Sequence, residues 1–385
     1  MTTDEKYRDR REIVIMVSHK CNLRCKYCYY DKITQECKHE SLDVARVKQL
    51  LRREFGNYLG PIRITYHGGE PFVNWAAMRD LSMWALDMRR DIQFLVTTNG
   101  TLLSEDTKQW LKSHKDQFTV VLSIDGPKDV HDSERPNSFD RIDRGFFAET
   151  YPTVGVKMTV SPKTLPHMYR SFLYLVNEGF YVNPSLAREV KWDKDIHLSL
   201  YRHELEKLAN WYLDHPSVPP AELLGINFVQ QPRAFDERCH CACGAGRDIV
   251  AYDIDGTAYP CHSFIDFTKP KLQDDLDQLF ALLKRNDAEM LNSPCTKCIF
   301  APWCAPCYGL SYVNRGDMGS LDEQMCLFSA VTIPFAAKLQ GEMLASGRDY
   351  CFLKKFSAEE KALMAKSIYA ILSDSNNAVH SMERR

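Results

Sequence analysis

The sequence predicts an α/β fold: a parallel sheet with helices between its strands, then a loop-rich, cysteine-dense segment, then C-terminal helices. Three observations carry this. Up to about residue 186, short β-branched runs alternate with longer amphipathic stretches, the signature of a parallel α/β sheet. The fourteen cysteines are unevenly spread: Cys21, Cys25, Cys28 and Cys37 come early, nine lie from Cys239 to Cys326, and Cys351 stands apart. The stretches 327–344 and 358–372 read as helices.

The strand candidates are 12–17, 62–66, 92–97, 118–123, 154–160 and 180–184. Helical stretches separate them. In 41–55, Ser41 is a candidate N-cap while Val44, Val47, Leu51 and Phe55 line one face. Six strands of this kind form either an open sheet or a partly closed barrel, and periodicity leaves both open. Residues 195–214 read as an amphipathic helix leading out of this half, and the proline-containing HPSVPPAELLG marks a boundary. Within 239–326 one hairpin-like piece, DIVAYDIDGTAYPC, turns at Asp255-Gly256. The last dozen residues are polar and expected to fray. The expected organisation is a catalytic domain over 10–190, a bridging helix and linker over 191–235, a cysteine-rich domain over 236–330, and C-terminal helices with a polar tail over 331–385.

Composition narrows the function classes. Hydrophobic residues make up 44% and charged residues 26%, the balance of a globular protein with a sizeable core. A net charge of -2 argues against a nucleic-acid footprint or a basic membrane-binding face. No apolar run approaches the roughly 18 residues that span a bilayer, and the charged N-terminus lacks the apolar core of a secretory signal. A cytoplasmic protein without nucleic-acid or membrane partners is expected. In a reducing compartment thiols stay unpaired, so clustered cysteines read as metal sites.

Cys21, Cys25 and Cys28 form C-x3-C-x2-C directly after the first strand. Three thiolates on one short loop can hold three irons of a cubane cluster and leave the fourth open to a ligand. The competing reading is structural zinc, which needs a fourth ligand such as His19 or Cys37. The second strand runs into His67-Gly68-Gly69-Glu70-Pro71, the third ends in Thr97-Thr98-Asn99-Gly100, and the fourth in Ser123-Ile124-Asp125-Gly126-Pro127. Each is an ordinary turn when taken singly. Together, after successive parallel strands, they mark the end of an α/β sheet where ligands bind.

CNLRCKYCYY, GGEP, TTNG and LSIDGP, in this order, resemble the radical S-adenosylmethionine (radical SAM) superfamily over roughly residues 10–190. The resemblance implies a partial (β/α)6 barrel in which Cys21, Cys25 and Cys28 ligate a [4Fe–4S] cluster. The open iron would chelate SAM, and reductive cleavage would give methionine and a hydrogen-abstracting 5′-deoxyadenosyl radical. It further implies that Gly68, Gly69 and Glu70 hold the methionine amino group. Ser123 and Arg135 would meet its carboxylate, with Arg141 and Arg144 competing for the arginine role. Asn99 joins the cofactor-binding set, and Tyr27 would lie near adenine.

The second cysteine field has Cys243, then Cys261 beyond Gly256, then Cys295-x2-Cys298-x5-Cys304-x2-Cys307, and Cys326. Spacing alone suits two zincs or two iron–sulfur clusters. This field resembles the SPASM module that follows many radical SAM barrels. The resemblance implies one auxiliary cluster on Cys243, Cys261 and Cys307, with Cys239 or Cys241 as fourth ligand and Cys239 preferred. A second takes Cys295, Cys298, Cys304 and Cys326, making three [4Fe–4S] clusters in all. The spacing between Cys304 and Cys307 is one residue shorter than the usual pattern. Cys37 and Cys351 read as ordinary thiols.

SPASM enzymes typically modify peptides or proteins, so the expected function is oxidation or crosslinking of a peptide or protein substrate, as in maturation of ribosomally made peptides. The anaerobic sulfatase maturases are the nearest group in layout. In them an aspartate acting as base follows the cysteine at the place of Cys261, where this chain has His262. His262 is the candidate catalytic base, or equally a residue that packs or orients a cluster. Formylglycine formation in a sulfatase, dehydrogenation of a small molecule, and a non-enzymatic zinc-binding adaptor are the alternatives. Only about eleven residues precede the first strand, so a fused leader-binding module is not expected. A separate leader-binding protein, the barrel, or the region 186–233 would then bind a leader. A flavodoxin- or ferredoxin-type protein would supply electrons.

Overall fold

All six expected strands form: β1 (Arg11–Ser18), β2 (Ile62–Gly68), β3 (Gln93–Thr98), β4 (Phe118–Leu122), β5 (Val156–Val160) and β6 (Val182–Leu186). They come from a computed structural model that describes residues 11–30, 42–229, 243–265, 273–283, 295, 298–304, 306–319 and 322–383. Ser41, Cys37, Cys239 and Cys241 lie outside the described residues, as do 230–242 at the expected boundary between linker and cysteine-rich segment. The strand pairs β1/β2, β2/β3, β3/β4 and β5/β6 are parallel. β4 and β5 meet only where their ends touch, at a parallel bridge between Ser123 and Lys157. There the Ile124 amide donates to the Lys157 carbonyl at 3.0 Å. Of the two arrangements left open by periodicity, the strands adopt the partial barrel.

The two faces of the arc differ because side chains alternate along a strand. One face carries two registered rows, Ile13–Ile64–Phe94–Phe118 and Ile15–Tyr66–Val96–Val120. All eight are buried, under helices that include Val44–Asn57 and Trp75–Met88. Tyr66 and Phe94 stack at 5.9 Å, and Phe94 and Phe118 at 5.3 Å. Such cross-strand aromatic pairs add about 0.5–1.5 kcal/mol beyond the area they bury. The other face mixes Val14, Met16, Leu95 and Val121 with the polar Glu12, Arg63, Thr65, His67, Gln93, Thr97, Thr119, Ser123 and Lys157, too many polar groups for a sealed core. That face is the lumen of the partial barrel.

The helix expected over 41–55 spans Val44–Asn57, and its cap is Asp43, whose carboxylate accepts from the Arg46 amide at 3.0 Å. The next helix of the outer layer, Glu105–Ser113, is capped by Ser104 with Glu105 and Asp106 in its first turn, the charge arrangement that suits a helix dipole.

Two features depart from expectation. The hairpin at Asp255-Gly256 forms, with β7 (Ile249–Tyr252) antiparallel to β8 (Ala258–Tyr259), yet β7 also pairs in parallel with β1. The central sheet therefore runs β4-β3-β2-β1-β7-β8 and crosses the expected boundary between barrel and cysteine-rich segment. The final helix, Ala358–Glu383, continues through most of the tail that polarity suggested would fray.

The bridging helix, Lys194–Asp214, buries Leu198, Tyr201, Leu205, Leu208 and Tyr212. Its Tyr201 hydroxyl meets Thr332 Oγ1 at 2.8 Å, and Trp192 just ahead of it packs on Phe328 at 4.7 Å, both on the helix Glu323–Ala345. That face is spent on internal packing. Among the described residues no helix is long and apolar enough to cross a membrane.

Truncating the middle ring of the aromatic stack by Phe94→Ala should lower stability by about 3–5 kcal/mol. Equilibrium denaturation of the full chain measures this; a loss below about 1 kcal/mol would mean that Phe94 does not sit in a sealed layer.

Candidate active site

The loop carrying Cys21, Cys25 and Cys28 leaves the end of β1 and is held by its neighbours from three sides. The Gly69 amide donates to the Ser18 carbonyl at 3.0 Å, and the Glu70 amide to the Lys20 carbonyl at 2.9 Å. Asn99 Nδ2 donates to Asn22 Oδ1 at 3.0 Å, and the Lys26 amide to the Glu134 carbonyl at 2.9 Å. Gly68, at φ +151°, has no room for a side chain, because a Cβ would overlap the Ser18 carbonyl oxygen. At Gly69 a Cβ would lie 2.5 Å from the Lys20 carbonyl oxygen. The glycine pair thus lets the cysteine loop pass against the end of β2, a use of glycine that the sequence assigned to a ligand.

Two buried carboxylates organise the strand ends. Glu70, 2% exposed, accepts from the Phe72 amide (3.1 Å), the Thr98 hydroxyl (2.7 Å) and the Asn99 amide (2.8 Å). Burial raises its pKa, and these donors oppose the rise. Asp125, also 2% exposed, accepts from Tyr27 Oη at 2.6 Å, Arg135 Nε at 2.8 Å and the Thr159 amide at 2.9 Å. The Arg135 guanidinium lies over the Tyr27 ring at 5.4 Å. Of the three candidate arginines, Arg135 is the buried one, at 7% exposure. Arg144 pairs with Glu178 at 3.2 Å, and Arg141 is exposed. Ser123 is buried at the end of β4, its amide bonded to the Thr98 carbonyl at 2.8 Å.

His131 supports this arrangement. Its Nδ1 accepts from the Asp125 amide at 3.2 Å, and its Nε2 meets Ser138 Oγ at 2.9 Å. Burial pushes its pKa down to about 4.

Further along the lumen, the His262 ring stacks on His67 at 4.2 Å. Burial, then the Lys157 charge, lower His262 to about 4. His67 is also lowered, by burial, His262 and Lys157 in that order, and its Nδ1 accepts from the Gly68 amide at 2.8 Å. Both rings are therefore neutral at neutral pH. His67, Lys157 and Tyr29 were not singled out by sequence reasoning. A histidine heading GGEP and a lone lysine within the apolar strand VKMTV were the available signals.

Ten of the eleven described cysteines fall into three groups by their mutual electrostatic influence, and Cys351 stands apart. Burial raises Cys21, and Cys28 adds to the rise. Burial pushes Cys25 up to about 12, opposed by Arg135 and reinforced by Cys28 and Cys21. In the second field, burial pushes Cys261 up to about 12, with Cys243 and Cys307 adding to it. Cys326 rises to about 12 through burial and then Cys304, Cys295 and Cys298. A cavity of about 100 Å³ touches Cys295, Cys298, Cys304, Cys307 and Cys326. Tyr29, 42% exposed, lies within electrostatic reach of Cys28 in the first group and of Cys307 and Cys261 in the second. The donor sets suit iron–sulfur clusters: soft thiols, gathered in threes and fours, ionise when a metal binds even though burial disfavours the free thiolate. Among the described residues no three His, Cys, Asp or Glu side chains converge on a point that one metal ion could occupy.

Residues 15–148 match the family described as the Radical SAM superfamily. The chain carries a radical SAM domain. The enzyme is 22% identical over 318 residues to the cysteine-type anaerobic sulfatase-maturating enzyme of Clostridium perfringens (strain 13 / Type A), covering 74% of this chain and 85% of that protein. Among solved structures, native anSMEcpe with bound AdoMet and Kp18Cys peptide matches with a TM-score of 0.65 at 18% identity, over 86% of this chain and 98% of that one. Streptococcus suis SuiB bound to precursor peptide SuiA matches with a TM-score of 0.56 at 19% identity, over 81% and 74%. At these identities the structural likenesses establish the fold. A radical SAM domain implies a [4Fe–4S] cluster and SAM as cofactors.

The His131 shift makes stability depend on pH. Its folded pKa lies below the ordinary 6.5, so between about pH 6.5 and about 4 the unfolded chain binds more protons. The stability it contributes is complete above about pH 6.5 and falls as pH drops toward 4. His131→Asn should make that acid loss shallower in denaturant titrations; an unchanged slope would show that His131 is not held neutral.

Proposed function

We propose that this radical SAM enzyme is a SPASM-type oxidoreductase that abstracts hydrogen from a peptide or protein substrate and leaves it oxidised or crosslinked. The observation that supports the reading is the division of ten of the eleven described cysteines into three groups, with Tyr29 in electrostatic reach of both Cys28 and the group containing Cys261. A radical SAM enzyme needs one cluster to start its reaction. Further clusters near the lumen are useful when an electron must leave the substrate after hydrogen abstraction, as oxidation and crosslinking require.

In this reading Cys21, Cys25 and Cys28 hold the first cluster. Cys243, Cys261 and Cys307 hold the second with Cys239, and Cys295, Cys298, Cys304 and Cys326 hold the third. When bound, the first cluster and SAM supply reductive cleavage to methionine and a 5′-deoxyadenosyl radical. The chain's own residues orient and seal. Gly68, Gly69 and Glu70 would hold the amino end of SAM, Asn99 and Ser123 at the neighbouring strand ends would join them, and Arg135 would offer positive charge to its carboxylate. Tyr27, tied to Asp125, forms a wall on the same side. His262 is neutral and faces the lumen beside the second group, so it is available to take up the proton released when the substrate is oxidised. Its depressed pKa makes it a weaker base than ordinary imidazole.

Electrons would come from a flavodoxin or ferredoxin, in the reducing cytoplasm where these thiols stay unpaired. A leader peptide, where the substrate has one, would be bound by a separate protein. Formylglycine formation in a sulfatase is the second reading. The likeness to the Clostridium perfringens enzyme over 74% of the chain favours it, and His262 in the place of the expected aspartate opposes it.

Anaerobic reconstitution should load about twelve irons, four per cubane. Replacing Cys21, Cys25 and Cys28 together by Ala should leave about eight irons and abolish 5′-deoxyadenosine formation from SAM and dithionite. Retained cleavage would sink the assignment; about four irons in the wild type would confine iron to the barrel. With a modified peptide in hand, His262→Ala should slow product formation by about 10²-fold or more while SAM cleavage continues. Product formation at the wild-type rate would remove His262 from proton transfer.

A further inference from the structure

The charges around the lumen do not balance. Arg135 is matched by Asp125, Arg63 by Glu12, and His19 lies 2.9 Å from Asp253. Two cations remain on the β5/β6 side. Lys157 projects from β5, beside Ser123 on one side and Asn183 on the other, and keeps an exposed side chain inside the barrel. Arg188 follows the end of β6, is exposed, and lines the cavity that touches Cys295, Cys298, Cys304, Cys307 and Cys326. Among the described residues neither makes an ion pair or a side-chain hydrogen bond. They also act on each other. Burial lowers the Lys157 ammonium, and Arg135 and then Arg188 lower it further, while Glu222 opposes them more weakly.

An ammonium held in this way, near two guanidinium groups, has no counter-charge among the described residues, and an anion would supply one. The rings nearest Lys157 on the lumen side, His67 stacked on His262 at 4.2 Å, are imidazoles and supply no carboxylate. Lys157 belongs to the barrel and Arg188 to the cavity at the cysteine-rich segment, so an anion reaching both would lie between the two regions that radical chemistry must connect.

We propose that Lys157 and Arg188 form a recognition site for a carboxylate side chain of the substrate, so that this enzyme acts on a peptide segment carrying Glu or Asp at or beside the modified residue. This rests on the peptide-modifying reading, and it specifies which peptides that reading admits. Lys157 sets the depth of the segment in the lumen through a charge-assisted hydrogen bond. Arg188 with its planar fork fixes the carboxylate's orientation.

The test uses the reconstituted full chain and needs no turnover, so its failure and that of the peptide-modifying reading remain distinguishable. Methyl acetyl phosphate, a small anion that acetylates amines, is the probe, and acetylation is mapped by mass spectrometry with exposed Lys115 as the internal reference. Lys157 should be acetylated faster than Lys115. The α-amide of N-acetylglutamate should suppress its labelling, whereas the matching glutamine amide should not. Arg188→Gln should raise the concentration of glutamate analogue needed for protection about tenfold, the loss of roughly one charge-assisted hydrogen bond. Equal protection by both analogues, or labelling of Lys157 no faster than Lys115, overturns the proposal. Protection by SAM alone also overturns it, since the cations would then belong to the cofactor's carboxylate.

Discussion

The contact on which the site depends is the buried ion pair between Asp125 and Arg135, 2.8 Å apart at the end of the barrel. Asp125 belongs to the turn after β4, Arg135 ends the short helix that follows, Tyr27 comes from the cysteine loop and Thr159 from β5. One carboxylate therefore joins four chain segments that are distant in sequence. A pair so deeply buried is weak evidence for stability, since desolvation offsets much of the attraction. Its value is specificity. Removing either partner strands a charge in a dry environment, so the loop carrying the three thiols has few alternative resting positions.

Glu70 performs the same service one strand over. Its carboxylate joins the end of β2 to Thr98 and Asn99 at the end of β3, while its backbone amide holds the cysteine loop. The fold thereby concentrates ordered polar groups at one end of a sheet whose other face is packed with aliphatic and aromatic side chains. A parallel sheet can tolerate this because helices cover only its outer side, leaving the lumen to water or ligand. The pairing of β7 with β1 extends the same logic. It brings the hairpin that ends at Cys261 and His262 onto the barrel's own sheet, so the cysteine-rich segment is positioned by backbone hydrogen bonds.

Much of the site was legible before any coordinates. Cys21, Cys25 and Cys28 lie within one short stretch and GGEP is continuous, so local chain geometry alone keeps each set together. Burial separates Arg135, beside Asp125, from the exposed Arg141 and from Arg144, which pairs with Glu178. Less legible was the use of Gly68 and Gly69. The sequence shows that a side chain is missing, and only the fold reveals that the vacated space is filled by the backbone of Ser18 to Lys20. Asp43 likewise took the capping role expected of Ser41, a difference of two residues that depends on where the chain turns into the helix.

By itself the sequence determined the alternation of strands and helices, the three-cysteine loop, the cysteine-dense second half and the radical SAM domain that its motifs mark. Those are properties of residue type and short-range spacing, which survive without knowledge of long-range contacts. Tertiary structure alone decided that the strands curve into a partial barrel, that β7 docks on β1, and that the cysteines sort into three groups. It also decided that His67 stacks on His262 and that Lys157 and Arg188 are left without counter-charges among the described residues. Each of these joins residues separated by many positions in the chain, where the favoured partner is set by strand register, burial and the balance of charge in a shared space.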